Sequence, residues 1–428
     1  MKVCGIVVEY NPLHKGHIYH IQQAKSITNC DYVVAVMSGN FVQRGEPAVI
    51  NKWSRTESAL LSGVDLVIEL PFIYSISSAE GFSFGAISIL NSLGIIDSIC
   101  FGSECGDIEL LNYAAKILVN EPDEFKLILH NLLKQGLSYP SAIQKALTNY
   151  IINNNLDNVN MNAKESINFT PNNTLGIEYI KSLIKLNSSI TPYTINRIAN
   201  NYNDLNITGN TASAAAIRNN INNLYMIKDA MPEFSYHILS REINEGRGPI
   251  VLNDFSDLIL YKIRESSIDY LSNILDVSEG IEYKIKRAGD KASDVNQLIS
   301  DVKNKRYTLT RIQRILLYIL FDIQKNTIKE IKSEPKYIRV LGFNNNGKFL
   351  LRKIKEKCDL KIITNPSKND IELLHYDILS TDIYSLAYKN KQFKTGKQDL
   401  IIPPVYINKW TCRTKSYYFY QFGIFYET

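Results

Sequence analysis

The stretch Val7 to His20, reading VVEYNPLHKGHIYH, admits few local folds. An apolar run, Val3 to Val8, gives way to the breaker pair Asn11-Pro12, and helical spacing then opens at His14-Lys15-Gly16-His17. This order predicts a strand, a tight turn and a helix N-terminus, with the helix running from Gly16 to about Lys25. A helix start offers unpaired N–H groups and the positive end of its dipole, a ready site for phosphate. His14 and His17, three apart, share a face of the first turn. Gly16 between them removes a side chain where a ligand's phosphates would approach the backbone. The plain alternative is two surface histidines flanking a helix cap. The coincidence of breaker pair, glycine and both imidazoles where a strand hands over to a helix favours the phosphate site.

The chain then repeats strand and helix. Tyr32 to Met37 reads as a second strand ending in Ser38-Gly39-Asn40, and Glu46-Pro47 breaks the chain before a helix from about Asn51 to Ser62. The polar side of that helix carries Lys52 and Arg55, either reaching toward phosphates at the strand ends or forming a solvated face. A strand at Asp65 to Leu70, a helix at Ser78 to Leu93 and a short strand near Ser98 to Phe101, closed by Gly102-Ser103-Glu104, continue the alternation. Such spacing argues an α/β fold with a doubly wound parallel sheet, Rossmann-like, whose ligands bind at the carboxyl ends of the strands. By that rule the histidine turn, Ser38-Gly39-Asn40 and Gly102-Ser103-Glu104 face one crevice.

A helical insertion is expected at about 106–165, its end overlapping an asparagine-heavy passage, Asn149 to Asn173, that reads as loop. Thr170-Pro171-Asn172-Asn173 stands before a helix at Leu175 to Leu186. Ile190 to Arg197 reads as a strand, and Ser213 caps a helix start in TASAAAIR. That helix start either holds the far end of a triphosphate, with Arg218 one turn in, or is an ordinary capped helix. These elements define an expected catalytic domain, 1–222. Residues 223–330 read as helical. Within them Lys303, Lys305, Arg306, Arg311 and Arg314 occur with no acid between, and Tyr307 is interleaved, a pattern suited to an RNA backbone and a stacked base. Residues 331–428 are expected to hold a small α/β unit, Tyr337 to Thr364, followed by a Tyr- and Phe-rich end that reads as buried. The loop Gly342 to Phe349 (GFNNNGKF) nearly matches a P-loop, but Phe349 stands where a hydroxyl must ligate Mg²⁺, so it is rejected as a nucleotide site.

Composition narrows the class. Hydrophobic content of 45% and charged content of 21% are those of a soluble globular chain, and no apolar run approaches the roughly 20 residues of a membrane span. The short apolar start meets Glu9 at once and lacks a cleavage site, so a cytoplasmic protein with no membrane association is expected. Six scattered cysteines without C-x-x-C pairs fit free thiols. A net charge of +5 permits a nucleic-acid partner without requiring one.

The first domain resembles the HxGH nucleotidyltransferase superfamily. More narrowly, EYNPLHKGH, GNFVQRGEPA with NKW after it, DLVIELP, FGSE, PNNTLGIEY and SAAAIR, in this order, are similar to motifs of the bacterial tRNA(Met) cytidine acetate ligases, and RVLGFNNNG extends the match toward the C-terminus. The resemblance implies an enzyme that uses ATP, with Mg²⁺ bound to it, to activate acetate as acetyl-adenylate. It further implies transfer of the acetyl group to N4 of the wobble cytidine of elongator tRNA(Met), releasing AMP and pyrophosphate. It also implies that His14 and His17 are catalytic. ATP contacts would fall on Val7, Val8, Glu9, Tyr10, Asn11, Pro12, Leu13, His14, Lys15, Gly16, His17, Ile18, Tyr19 and His20, on Gly102, on Asn172 and on Arg197. The family commonly has Thr or Ser where Ala215 stands, so a hydroxyl contact from that position is missing here, while Ser213 and Arg218 remain. Two rival functions share these motifs: a small-molecule adenylyltransferase on the same fold, and a tRNA-binding protein without catalysis. The extra C-terminal half argues against the first and the retention of both histidines against the second.

Overall fold

The computed structural model describes residues 1–137, 139–154, 170–197, 212–304 and 307–408. Five parallel strands form its centre: β1 (Val3–Val8), β2 (Tyr32–Ser38), β5 (Leu66–Leu70), β6 (Ser98–Ser103) and β7 (Thr191–Asn196), in spatial order β5-β2-β1-β6-β7. The short strands β3 (Phe41–Val42) and β4 (Glu46–Pro47) pair with each other as an antiparallel hairpin. Strand alternation sorts side chains onto two faces. Cys4, Ile6 and Val8 of β1 pack on the side of helices α1 (Lys15–Thr28) and α2 (Lys52–Leu61). On the other side Gly5 leaves room for Leu90 of α3 (Ala79–Ser92), whose Cδ2 a Cβ at Gly5 would meet at 2.8 Å.

The C-terminal strand–loop–helix–strand forms as expected, but it has no sheet of its own. Strand β8 (Tyr337–Asn344) pairs antiparallel with β5, and β9 (Lys361–Ile363) and β10 (Val405–Ile407) both pair with β8. One sheet therefore runs from the first residues of the chain to the last described ones. Alternation alone says that a strand exists and not which edge it joins.

This junction is held by buried charge. Lys52 Nζ donates to Glu69 at 2.8 and 3.0 Å and to Asp399 at 2.7 Å, with all three side chains sealed from solvent. Arg339 lies 3.7 Å from Asp399. Asp377 accepts from Phe72 N at 2.7 Å and from the Tyr337 hydroxyl. Burial pushes the Glu69 carboxyl up to about 7 despite the opposing pull of Lys52. Lys52 and Arg55 are thus neither phosphate ligands nor a solvated face. Arg55 donates to the carbonyls of Ile50 (3.2 Å), Glu9 (2.6 Å) and Gly39, stitching the ends of β1 and β2 together.

Among the described residues the helical insertion forms three helices, Ile108–Asn120, Asp123–Lys134 and Tyr139–Asn153, so helix replaces the expected loop over the first residues of the asparagine-heavy passage. The remainder of that passage before Thr170 lies outside the described residues, as do Lys305, Arg306 and the aromatic C-terminus. Residues 223–304 and 307–331 are helical, and Tyr318 on the helix Leu309–Leu320 donates to the Ile76 carbonyl at 2.9 Å, docking this region on the sheet domain. No helix among the described residues is long and apolar enough to cross a membrane.

Candidate active site

Strand β1 ends at Val8, the chain turns through Tyr10 in the left-handed region (φ 48°) and a cis Asn11-Pro12 bond, and α1 begins. The helix start is capped by its own two histidines. His14 Nδ1 accepts from Gly16 N at 3.1 Å, and His17 Nδ1 accepts from His14 N at 3.1 Å, a reciprocal box of the kind usually built from Ser and Glu. The rings lie 3.8 Å apart between centroids, and Tyr10 packs edge-on against His17 at 4.9 Å.

This arrangement fixes the tautomers. An Nδ1 that accepts a backbone N–H carries no proton, so each neutral imidazole keeps its proton on Nε2 as a donor. Burial, followed by the charges of Arg197 and Arg218, pushes His14 down to about 3. Burial, then His14 and Arg197, holds His17 well below the usual range. His20 donates from Nε2 to the Cys100 carbonyl at 3.2 Å and is lowered by burial to about 4. Both imidazoles are therefore neutral, with two Nε2–H donors fixed at the carboxyl end of the sheet.

Around it lie the ends of β6 and β7. Glu104 accepts from Thr170 Oγ1 (2.6 Å), from Asn172 Nδ2 (2.6 Å) and N (3.3 Å), and from Asn173 N (2.9 Å), capping the helix Pro171–Lys185. Asn173 Oδ1 returns the contact to Glu104 N at 2.9 Å. That clasp, with Pro171 suited to the first helical position, moves the helix start four residues ahead of the Leu175 expected from spacing. Asn172 Oδ1 in turn accepts from Arg197 at 2.6 Å, and Arg197 lies over Gly102, where a Cβ would come within 3.0 Å of its Cγ. Gly102, Asn172 and Arg197 are thus one contact set, with the Arg197 charge felt at the histidines.

Ser213 caps the short helix Ala214–Asn219 by accepting from Ala216 N at 3.1 Å. Arg218 donates to the Asn11 carbonyl at 3.0 Å and stands 3.7 Å from Glu46, which brings the SAAAIR segment onto the histidine turn. The sequence alone assigns Arg44 no role. It sits at the tip of the β3–β4 hairpin, and its charge, after burial, depresses both Arg197 and Arg218. The hairpin is held to the turn by Gln43 N donating to Glu9 at 3.0 Å. Three guanidiniums near enough to oppose one another beside neutral imidazoles make a site suited to a polyanion. Asn11 adds a buried Nδ2 with no partner among the described residues, its Oδ1 accepting from Val49 N at 2.8 Å. The signal for Arg44 was its place in GNFVQRGEPA, but strands of two residues leave no alternation to read.

The remaining expected positions divide. Val8, Tyr10 and Leu13 lie in the core beneath the turn, Val7 packs on the opposite face of the sheet, and Lys15 and Gly16 are exposed on the first turn of α1. Ile18 and Tyr19 are half-buried against the core on the α1 side. Ser38-Gly39-Asn40 does not open on the crevice. Asn40 is buried, donating to Thr381 at 3.2 Å and accepting from Lys52 N at 2.8 Å, and Gly39 abuts Glu69, so the C-terminal segment closes that loop. Tyr307 is 2% exposed and bonds the Glu279 carbonyl at 2.9 Å, so it is not a stacking platform. Arg311 bonds the Asp276 carbonyl (3.0 Å) and Ser278 (2.7 Å), Arg314 lies 3.9 Å from Asp276, and Lys303 is exposed. In GFNNNGKF, Asn344 and Asn346 both donate to Asp65 at 3.0 Å, and a Cβ at Gly347 would strike the Asp65 carbonyl, so that helix start is filled by protein.

A family model described as HIGH Nucleotidyl Transferase matches residues 1–399. A tRNA(Met) cytidine acetate ligase of Caldicellulosiruptor saccharolyticus is 50% identical over 396 residues, 91% of this chain and 95% of that protein. One from Clostridium perfringens is 45% identical over 410 residues, 95% and 100% of the two chains. A crystal structure of Thermotoga maritima TmcAL bound with alpha-thio ATP superposes with a TM-score of 0.88 at 37% identity, over 95% of this chain and 100% of that one.

Proposed function

The chain belongs to the tRNA(Met) cytidine acetate ligase family, an ATP-using group within the HIGH nucleotidyl transferases, and from that premise we propose how its residues carry the reaction. ATP is bound at the histidine turn, its triphosphate among Arg44, Arg197 and Arg218. An acetate oxygen attacks the α-phosphorus, the bond from that phosphorus to the bridging oxygen breaks, and pyrophosphate leaves with acetyl-adenylate remaining. The Nε2–H groups of His14 and His17 donate to phosphoryl oxygens as charge builds on them. Such fixed donors in a water-poor site are typically worth roughly 10² to 10³ in rate each. Mg²⁺, carried on the phosphates, supplies further charge neutralisation. In the second step N4 of the wobble cytidine attacks the acetyl carbonyl, AMP leaves and the amine loses a proton. No protein nucleophile takes part, and the work is positioning and electrostatics.

The observation that carries this reading is the reciprocal histidine cap, which uses both Nδ1 atoms as acceptors and leaves two Nε2 donors beside the arginines. Docking of tRNA is assigned to the helical segment 223–330, since a flat half-exposed base must be brought to a crevice that the catalytic domain alone would offer equally to small amines. The test is nucleoside analysis of elongator tRNA(Met) incubated with the protein, ATP, Mg²⁺ and acetate. N4-acetylcytidine at the wobble position is the expected product. Acetate-dependent pyrophosphate exchange without any tRNA product would point instead to a small-molecule acceptor.

A further inference from the structure

On the helical region, next to the β3–β4 hairpin, lies an open cavity of about 430 Å³ whose lining includes Ser78, Asp276, Ser278, Arg311, Arg314 and Lys325. Its cations outnumber its acids. Asp276 is the one carboxylate among the lining residues, and Glu279 stands 4.0 Å from Arg311 outside them. The guanidiniums are held and yet incompletely satisfied. Arg311 is aimed by the Asp276 carbonyl and the Ser278 hydroxyl. Arg314 lies 3.9 Å from Asp276 and beside the Tyr318 hydroxyl, and its buried Nε has no hydrogen-bond partner among the described residues. Lys325 is exposed and makes no ion pair among the described residues.

The cavity is joined to the catalytic crevice by the hairpin. Gly45 has φ 79°, and a Cβ there would lie 2.4 Å from Arg314 N, so the hairpin tip rests directly on the backbone of the helix Leu309–Leu320. The contact is strengthened by Gln313, which donates to Glu46 at 3.0 Å, the same carboxylate that Arg218 faces. Arg44, one residue from Gly45, belongs to the arginine group of the crevice. Cations therefore run from Arg197 and Arg218, through Arg44 at the hairpin tip, to Arg314, Arg311 and Lys325.

We infer that this cavity seats a backbone phosphate of the same RNA strand whose cytidine enters the histidine crevice, with Arg314, Arg311 and Lys325 as its donors; the inference rests on the tRNA-modifying reading above. Planar guanidiniums suit phosphate oxygens, and the exposed Lys325 ammonium adds a point charge beside them. A strand crossing the hairpin would place one nucleotide at the arginines of the crevice and another phosphate of the same strand in the cavity. The hairpin thereby measures the reach between docking and chemistry.

The test uses Lys325→Ala, an exposed position whose loss leaves the packing intact. Affinity for elongator tRNA(Met) is measured by filter binding across a series of salt concentrations, alongside acetate-dependent ATP–pyrophosphate exchange. The expected result is weaker binding, a salt slope reduced by roughly 0.7 to 0.9, and unchanged exchange. Unchanged affinity and slope in a variant whose parent acetylates tRNA overturns the cavity and leaves the reaction reading standing. A parent that neither binds nor acetylates tRNA overturns the reading beneath it. Joint loss of binding and exchange shows a disturbed crevice and also overturns the proposal. Inorganic phosphate, titrated at fixed ionic strength, separates the sources of the anion: if it binds in a Lys325-dependent way while the tRNA salt slope does not depend on Lys325, the cavity takes free phosphate only and the RNA assignment falls.

Discussion

Acidification reads the histidine cap directly. In the folded chain His14 is pushed down to about 3, chiefly by burial, whereas an unfolded histidine titrates near 6.5. Between those values the unfolded state binds the extra proton, so the stability His14 contributes is fully present above pH 6.5 and is lost as pH falls toward 3. At about 1.4 kcal/mol per pH unit per proton, going from pH 7 to pH 5 removes about 2 kcal/mol through this one residue. His14→Asn isolates the effect, because asparagine is a good N-cap and its Oδ1 takes over the acceptor role toward Gly16 N. At pH 7 the variant should unfold within about 1 kcal/mol of the parent, so the cap itself is preserved. At pH 5 it should have lost about 2 kcal/mol less than the parent, read as urea midpoints at fixed slope. Groups remote from His14 titrate alike in both proteins and cancel in the difference, and His17 is held down first by its own burial, which the substitution keeps. Equal losses in parent and variant would mean that His14 takes up its proton at pH 5 as readily in the folded chain as in the unfolded one, and the assignment of a buried, acid-resistant imidazole would fail.

His17→Ala should lower turnover by about 10² or more with near-normal thermal unfolding; unchanged turnover removes the turn from catalysis. Gly102→Ala places a methyl 3.0 Å from Arg197 Cγ and should raise KM for ATP in pyrophosphate exchange while leaving the far-ultraviolet circular dichroism spectrum alone. An unaltered KM would show that Arg197 can shift without consequence. Lys52→Met leaves Glu69 and Asp399 buried without their ammonium and should cost about 3 to 5 kcal/mol in denaturant unfolding; a loss below 1 kcal/mol would mean that the cluster is already neutral.

The strand, breaker pair and HKGH start were readable because every determinant is local: apolar run, turn residues and helical spacing lie within twenty residues of one another. The same holds for the parallel alternation up to Arg197. What escaped was set by distant partners. Lys52 and Arg55 sit on a helix face that looks polar in one dimension, and only the arrival of Asp399, some 350 positions away, shows that the face is interior. Tyr307 looked like a stacking aromatic because its cationic neighbours are visible in sequence, while its bond to the Glu279 carbonyl is not. Ser38-Gly39-Asn40 looked open for the same reason: Thr381, which covers it, belongs to the other end of the chain.

The pairing of β8 with β5 has a consequence for how the protein is made. While the chain emerges from the ribosome, the sheet domain must wait with β5 as a bare edge and with Lys52 and Glu69 lacking Asp399, because the strand and carboxylate that complete them are translated more than 260 residues after β5. An unpaired strand edge with half-paired interior charge is a surface prone to wrong association. The sheet domain is thus unfinished until the segment carrying β8 and Asp399 has been made. Premature termination should yield material for proteases rather than a free, working fragment, so that the sheet domain is not released without the part of the chain that closes it.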